Sequence, residues 1–360
     1  MRMEEGTDAS SAAGIVSEGG EQPTSMVAPQ RSPTSSVGVV GPVVRDTTVH
    51  YENPVESTAK RDCRMDDSVG GGSVNVSRAI QGHGGTAYPI FIAANDSMGR
   101  DMKSELGDEF SAARFVNGYS KSRRSHIRPG GTTDTTRPKL LIPQLPLFCR
   151  GVMEETPVVV LSPLAAPDVD FTRDVLMSAK YPIWQPSVSQ LTDASSAARL
   201  MPLARVIVIN DAEAREATGK KDPVDAIIAM VEGGSQGVIV TSRDGAIARL
   251  DDGNWHFAAA HRVQAKRTSR AGDVFTGVLA LAIASGYSPQ EGMELGQAAA
   301  ARHVSEQPAM GSLEALAAWA STQPKVDFPG RVPQKPLELP RAIAIAAAAS
   351  AMVLALLAFA

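Results

Sequence analysis

From residue 37 to about residue 322, short apolar, β-branched runs alternate with stretches whose apolar positions recur every three to four residues. The runs at 37–44, 87–93, 157–161, 206–209 and 237–240 read as strands. Helical spacing appears near 75–83, 99–107, 171–180, 212–218, 223–233 and 273–286, and 298–301 and 313–319 read as closing helices. Strand and helix in turn predict an α/β fold, a mostly parallel sheet with helices on both faces. No internal repeat is visible.

Polar and special segments flank and interrupt this pattern. Residues 1–36 are rich in Ser, Gly, Thr, Pro and Glu and predict a disordered extension; the start, Met1-Arg2-Met3-Glu4-Glu5, has no apolar run and predicts no secretory signal. Residues 46–69 and about 111–140 are polar and rich in Thr and Arg, with a turn at Pro129-Gly130-Gly131. Residues 323–341 carry five prolines and read as a linker. Residues 342–360 then run nineteen positions without a charge, about 28 Å as a helix at ~1.5 Å per residue and so close to a bilayer core. Arg331, Lys335 and Arg341 precede this tail, which favours a cytoplasmic location for the upstream domain with the tail as a membrane anchor. Ten of the nineteen are Ala, so a helix docked on the domain or a poorly ordered extension competes with that reading.

Composition narrows the classes. The chain has 360 residues, 43% hydrophobic and 21% charged, enough for one large domain of a few hundred residues. Net charge is −4 with no basic stripe, which argues against nucleic-acid binding; Arg123-Arg124, with Lys121 and Arg128, reads as a solvated hairpin. Cys63 and Cys149 lack partner spacing, so neither a disulfide framework nor a zinc site is expected, and a reducing compartment fits. The six histidines show no metal-binding spacing.

Candidate chemistry concentrates at Thr268-Ser269-Arg270-Ala271-Gly272-Asp273-Val274-Phe275-Thr276-Gly277, which opens an apolar helix. Unpaired amides at a helix start favour a bound anion, and Asp273 could act as a base beside it. An ordinary helix cap accounts equally well for these residues taken alone.

Together with four other segments, this stretch resembles the pfkB, or ribokinase-like, sugar and nucleoside kinases. Residues 37–46 resemble the family's first strand, ending at Asp46. Gly70-Gly71-Gly72-Ser73-Val74-Asn75 resembles its Gly-Gly-x-x-x-Asn signature, and Asn95-Asp96-Ser97-Met98-Gly99-Arg100-Asp101 the loop after the next strand. Asn210-Asp211-Ala212-Glu213 resembles its Asn-x-x-Glu, and 268–273 its Gly-Ala-Gly-Asp turn. The five lie in family order across roughly 37–322. The resemblance implies a three-layer α/β/α sandwich over 37–322, with segments 46–69 and 111–140 forming a small β lid. It implies ATP-dependent phosphorylation of a hydroxymethyl group on a small sugar or nucleoside. In its terms Asp46, Gly71, Gly72 and Asn75 hold the substrate and Asp273 is the general base. The amides of Ala271, Gly272 and Asp273 form the anion hole. Asn210, Glu213 and Thr241 serve the nucleotide and a water-held Mg²⁺, with no direct protein ligand to the metal. Lids in the family sometimes pair, so a homodimer is one option.

Three departures fall on the nucleotide side. Arg267 replaces the Asp that opens the signature, where many relatives bind an activating monovalent cation. Arg270 replaces a small residue in the turn. The segment Thr241-Ser242-Arg243-Asp244-Gly245 is one residue short, with Arg where a Gly is expected. They leave a second reading open, a catalytically impaired relative that binds a sugar or nucleoside as a sensor or scaffold. Nothing in 111–140 translates into a particular substrate.

Overall fold

The computed structural model describes residues 35–51, 63–127, 133–136, 138–141, 145–164 and 169–327. The N-terminal extension up to residue 34, the linker beyond 327 and the whole 342–360 tail lie outside the described residues, and so does the expected anchor. No helix among the described residues is long and apolar enough to cross a membrane.

The chain begins with β1 (Ser36–Pro42), β2 (Val44–Tyr51), β3 (Cys63–Gly70), α1 (Gly72–Gly82), β4 (Thr86–Ala94) and α2 (Ser97–Glu109). There follow β5 (Arg114–Tyr119), β6 (Arg123–Ile127), β7 (Thr133–Thr135), α3 (Leu147–Glu155), β8 (Val158–Leu161), α4 (Val169–Ser178) and β9 (Pro182–Trp184). Next come α5 (Val188–Thr192), α6 (Ala194–Leu200), β10 (Val206–Asn210), α7 (Asp211–Thr218), α8 (Pro223–Glu232), β11 (Val238–Thr241), β12 (Gly245–Arg249) and β13 (Trp255–Ala259). The helices α9 (Ala271–Ala284), α10 (Pro289–Val304) and α11 (Leu313–Thr322) close the chain.

Nine strands form one sheet in the order β13-β12-β11-β10-β9-β8-β1-β4-β5, parallel from β11 to β5 and antiparallel at the β11–β12–β13 end. Alternation along each strand sends side chains to opposite faces. Val37, Val39, Val158 and Val160 pack with α1, α9, α10 and α11, while Val40, Val159 and Leu161 pack with α3, α4, α7 and α8. The result is the expected α/β/α layering around a large, mostly parallel sheet.

A second sheet of four strands, β3-β2-β6-β7, stands apart from the first. Two sequence expectations change here. The run 37–44 is not one strand: Pro42 ends β1, Val43 bonds across to the Ile92 carbonyl at 3.1 Å, and the chain enters the second sheet at Val44. Proline lacks the amide a central strand must donate, which makes it a natural exit point. The segment 111–140 also divides. Its β5 pairs with β4 at the edge of the large sheet, whereas β6 and β7 join the small one.

Candidate active site

Parallel α/β sheets present their ligand sites at the carboxyl ends of the strands. Here β9, β10 and β11 end beside a cavity of about 1160 Å³, closed from below by the first turn of α9. Ala271, Gly272 and Asp273 line it together with Asn210, Glu213 and Thr241. Residues separated by more than sixty positions therefore meet around one space.

The first turn of α9 is built unusually. Its cap, Arg270, adopts φ 70° and ψ 2°, a left-handed conformation that costs a side-chain-bearing residue about 1–2 kcal/mol. No side chain caps the helix, so its first amides stay available to the cavity. At Gly272 the space where a Cβ would lie is empty out to 4 Å.

Asp273 is held rather than free. Asn75 Nδ2 donates to its Oδ2 at 2.8 Å, bridging α1 and α9. Burial raises the Asp273 carboxyl above its ordinary pKa, and the Asn75 bond and the Arg270 charge pull it part of the way back. A carboxylate whose pKa lies above the usual range is a stronger base than a solvated one. Gln185, directly after β9, also bonds to this carboxylate and donates from Nε2 to Thr276 Oγ1 at 3.0 Å. Gln185 carries no recognisable sequence signal, because the three-residue strand before it is too short to show a pattern.

On the other side of Asp273 stand Asp46 and the glycines. Asp46, on β2, is buried and accepts from Arg270 Nη2 at 2.9 Å and from Ser125 on β6. Burial raises its pKa against the opposing pull of Arg270. A Cβ on Gly70 would overlap the Asp46 carboxylate. Gly71 has φ 108°, and a Cβ there would come within 2.6 Å of the Pro42 carbonyl. A Cβ on Gly72 would lie 3.5 Å from Asp273 Oδ1. Asp46, Gly71, Gly72, Asn75 and Asp273 thus form one compact cluster, and Arg270 is an unexpected member of it.

The residues expected on the nucleotide side are arranged differently. Asn210 Oδ1 accepts from the Glu213 amide at 2.8 Å, and Glu213 Oε2 accepts from the Asn210 amide at 3.0 Å, a reciprocal cap of α7. Burial raises the Glu213 carboxyl, and the negative charge of Asp273 adds to the shift, so two carboxylates sense each other across the cavity. Thr241 ends β11 with its hydroxyl 3.4 Å from the Ile209 carbonyl. The shortened segment after it is a tight hairpin in which Ser242 bonds back to the Gly245 carbonyl at 2.7 Å, and the Arg243 side chain is 93% exposed. The Arg267 side chain bonds to His303 on α10: Nε donates to its carbonyl and Nη2 to its Nδ1, each at 3.2 Å. Among the described residues no three His, Cys, Asp or Glu side chains converge on a metal position.

The fold is that of ribokinase-like α/β proteins. Residues 153–316 match the pfkB family carbohydrate kinase sequence model. That match takes in Asn210, Glu213 and Asp273, while Asp46, Gly71, Gly72 and Asn75 lie N-terminal to it. Among solved structures, Arabidopsis thaliana ribokinase complexed with ribose and ATP is similar at TM-score 0.65 and 17% identity, over 80% of this chain and 99% of that one. Ribokinase from Thermotoga maritima gives 0.63 at 21%, over 79% and 99% of the two chains. Escherichia coli phosphofructokinase-2 in complex with fructose-6-phosphate gives 0.61 at 20%, over 79% and 97%. No curated protein gives a significant sequence match.

Proposed function

We propose that this chain is an ATP-dependent kinase that phosphorylates a hydroxymethyl group of a small sugar or nucleoside. The observation that carries the reading is the cluster itself: a desolvated Asp273, oriented by Asn75, beside uncapped α9 amides at the inner wall of a large cavity. In this reading Asp46, Gly71, Gly72 and Asn75 hold the substrate, with the second sheet as a lid over it. The hydroxymethyl oxygen attacks the γ-phosphorus of ATP, its proton passes to an Asp273 carboxylate oxygen, and the bond to the β–γ bridging oxygen breaks to release ADP. The amides of Ala271, Gly272 and Asp273 take the charge that gathers on the transferring phosphoryl oxygens.

The residues present fit a magnesium ion held through water. Glu213 and Asp273 place two mutually repelling carboxylates at one cavity, and Mg²⁺ keeps several waters while sharing one or two carboxylates with substrate phosphates. When bound, the ion would neutralise phosphate charge. Asn210 and Glu213 would orient its waters with the atoms their reciprocal cap leaves open, and Thr241 would contact the nucleotide.

One observation favours the second reading, a sugar- or nucleoside-binding relative without turnover. Arg270 already occupies the Asp46 carboxylate that a substrate hydroxyl would need. A panel of sugars and nucleosides incubated with Mg-ATP decides between them. A phosphorylated product and matching ADP from one compound establish the kinase; substrate binding with no product from any compound replaces it with the binding protein.

A further inference from the structure

Behind the catalytic cluster, α1, α9 and α10 enclose a second cavity of about 260 Å³ that serves no role in the proposed reaction. Four arginines (Arg78, Arg267, Arg270 and Arg302) and two histidines line it, and no carboxylate does. Two of the arginines are neutralised elsewhere, Arg78 by Glu109 at 2.7 Å and Arg270 by Asp46 at 2.9 Å. The other two are not. Arg302 is 9% exposed, yet its Nε and Nη2 reach only the Pro308 carbonyl, and its Cζ lies 5.0 Å from the centre of the Trp319 ring. Arg267, at the mouth, bonds only to His303. Among the described residues neither has an acidic partner.

A buried guanidinium without a counter-charge is costly, so an anion beside it is strongly favoured. His83 adds a second and independent observation. It is 95% buried (5% exposed), its Nδ1 donates to the Ala79 carbonyl at 2.9 Å, and its Nε2 has no partner although it is sealed from solvent. With the proton on Nδ1, Nε2 offers a lone pair, and burial together with the nearby Arg302 charge favours that neutral ring. The cavity therefore presents arginine donors and a histidine acceptor. Hydrogen phosphate carries both complements, charged oxygens and a P–OH group.

We infer that the cavity between α1, α9 and α10 is a binding site for a phosphate group, distinct from the α9 anion hole. Arg267 and Arg302 take its charged oxygens and His83 takes its proton. Free phosphate and the phosphate of a small ester share this chemistry, and the volume admits either. The cavity shares Asn75 and Arg270 with the catalytic cluster, so an occupant would sense the substrate side.

The test is a titration of the full chain by calorimetry and thermal shift at constant ionic strength, with inorganic phosphate in one arm and glycerol 3-phosphate in the other. It needs no turnover, so its outcome is separate from that of the kinase reading. Saturable binding of at least one probe is expected, weakened by about tenfold or more in Arg267→Leu and in Arg302→Met. Arg267 is exposed and makes no core contact, so Arg267→Leu stays interpretable even where Arg302→Met does not fold. Tighter glycerol phosphate identifies an ester, and equal or tighter inorganic phosphate identifies the free ion. Absence of saturable binding in both arms overturns the inference. So does binding that Arg267→Leu leaves unchanged, which would place the anion at α9 instead.

Discussion

The two halves of the candidate site are built on different principles. On the proposed substrate side, Gly70, Gly71 and Gly72 press backbone against Asp46, the Pro42 carbonyl and Asp273, with Asn75 bonding across to α9. On the proposed nucleotide side an open cavity is bounded by strand ends and helix termini, Gly272 faces empty space, and Arg243 points into solvent. Close backbone packing resists substitution because every added atom must displace a neighbour. An open wall tolerates it. Of the three departures named above, the shortened 241–245 hairpin lies on the open half, Arg270 joins the two halves through Asp46, and Arg267 lines the second cavity beside His303.

Paired glycine substitutions test this contrast most strongly. Gly71→Ala must place a Cβ 2.6 Å from the Pro42 carbonyl at φ 108°, and chemical denaturation should show a loss of about 2–4 kcal/mol. Gly272→Ala meets nothing within 4 Å in a first helical turn, and it should hold or gain about 0.5 kcal/mol. Equal losses at the two positions would break the comparison.

Arg270 is where the halves touch, and Arg270→Gly sharpens the account. Glycine relieves the left-handed strain at the cap and frees Asp46. The KM for the phosphorylated substrate should fall several-fold while thermal stability stays near that of wild type. A rise in KM would mean that Arg270 binds substrate instead of blocking it.

A smaller effect reads out the Asp273 environment directly. Its folded pKa is raised, so the fold favours the protonated form. That contribution is full below the unfolded value of about 4 and is lost as pH rises through the folded value. At neutral pH the charge therefore costs stability. Asp273→Asn should melt a few degrees higher than wild type near pH 7, and the gain should vanish below about pH 4. The smallest effect belongs to Arg243→Ala, which should stay within about 0.5 kcal/mol of wild type in the same denaturation assay because its side chain is solvated.

Much of this was legible in the chain. The apolar runs that became β1, β4, β8, β10 and β11 stand out because strands covered by helices on both faces carry little polar interruption. What escaped has physical reasons. β9 is three residues long, and α5 and α6 are too short to show a period. Only 298–301 of α10 is legible as a helix, although Ser288 and Glu291 form its capping box and Pro289 opens it. Gly292 and Gly296 obscured it, and both are there because α10 lies so close on α9 that a Cβ would fall 2.9 Å from Leu279 and 2.8 Å from Phe275. At the site, motif order picked out Asp46, Asn75, Asn210, Glu213 and Asp273, but no local pattern announced Gln185 or the Arg270–Asp46 pair, whose partners lie 224 positions apart.

The central claim is that Asp273 takes the proton of a sugar or nucleoside hydroxyl during transfer from ATP. The measurement that tests it most directly is substrate-dependent ADP release by the full chain and by Asp273→Asn, with substrate binding followed in parallel. The account predicts turnover that the variant loses by about 10²–10⁴-fold while it still binds substrate. Turnover that survives the substitution, or a folded wild-type chain that binds substrate and ATP without releasing ADP, would contradict it.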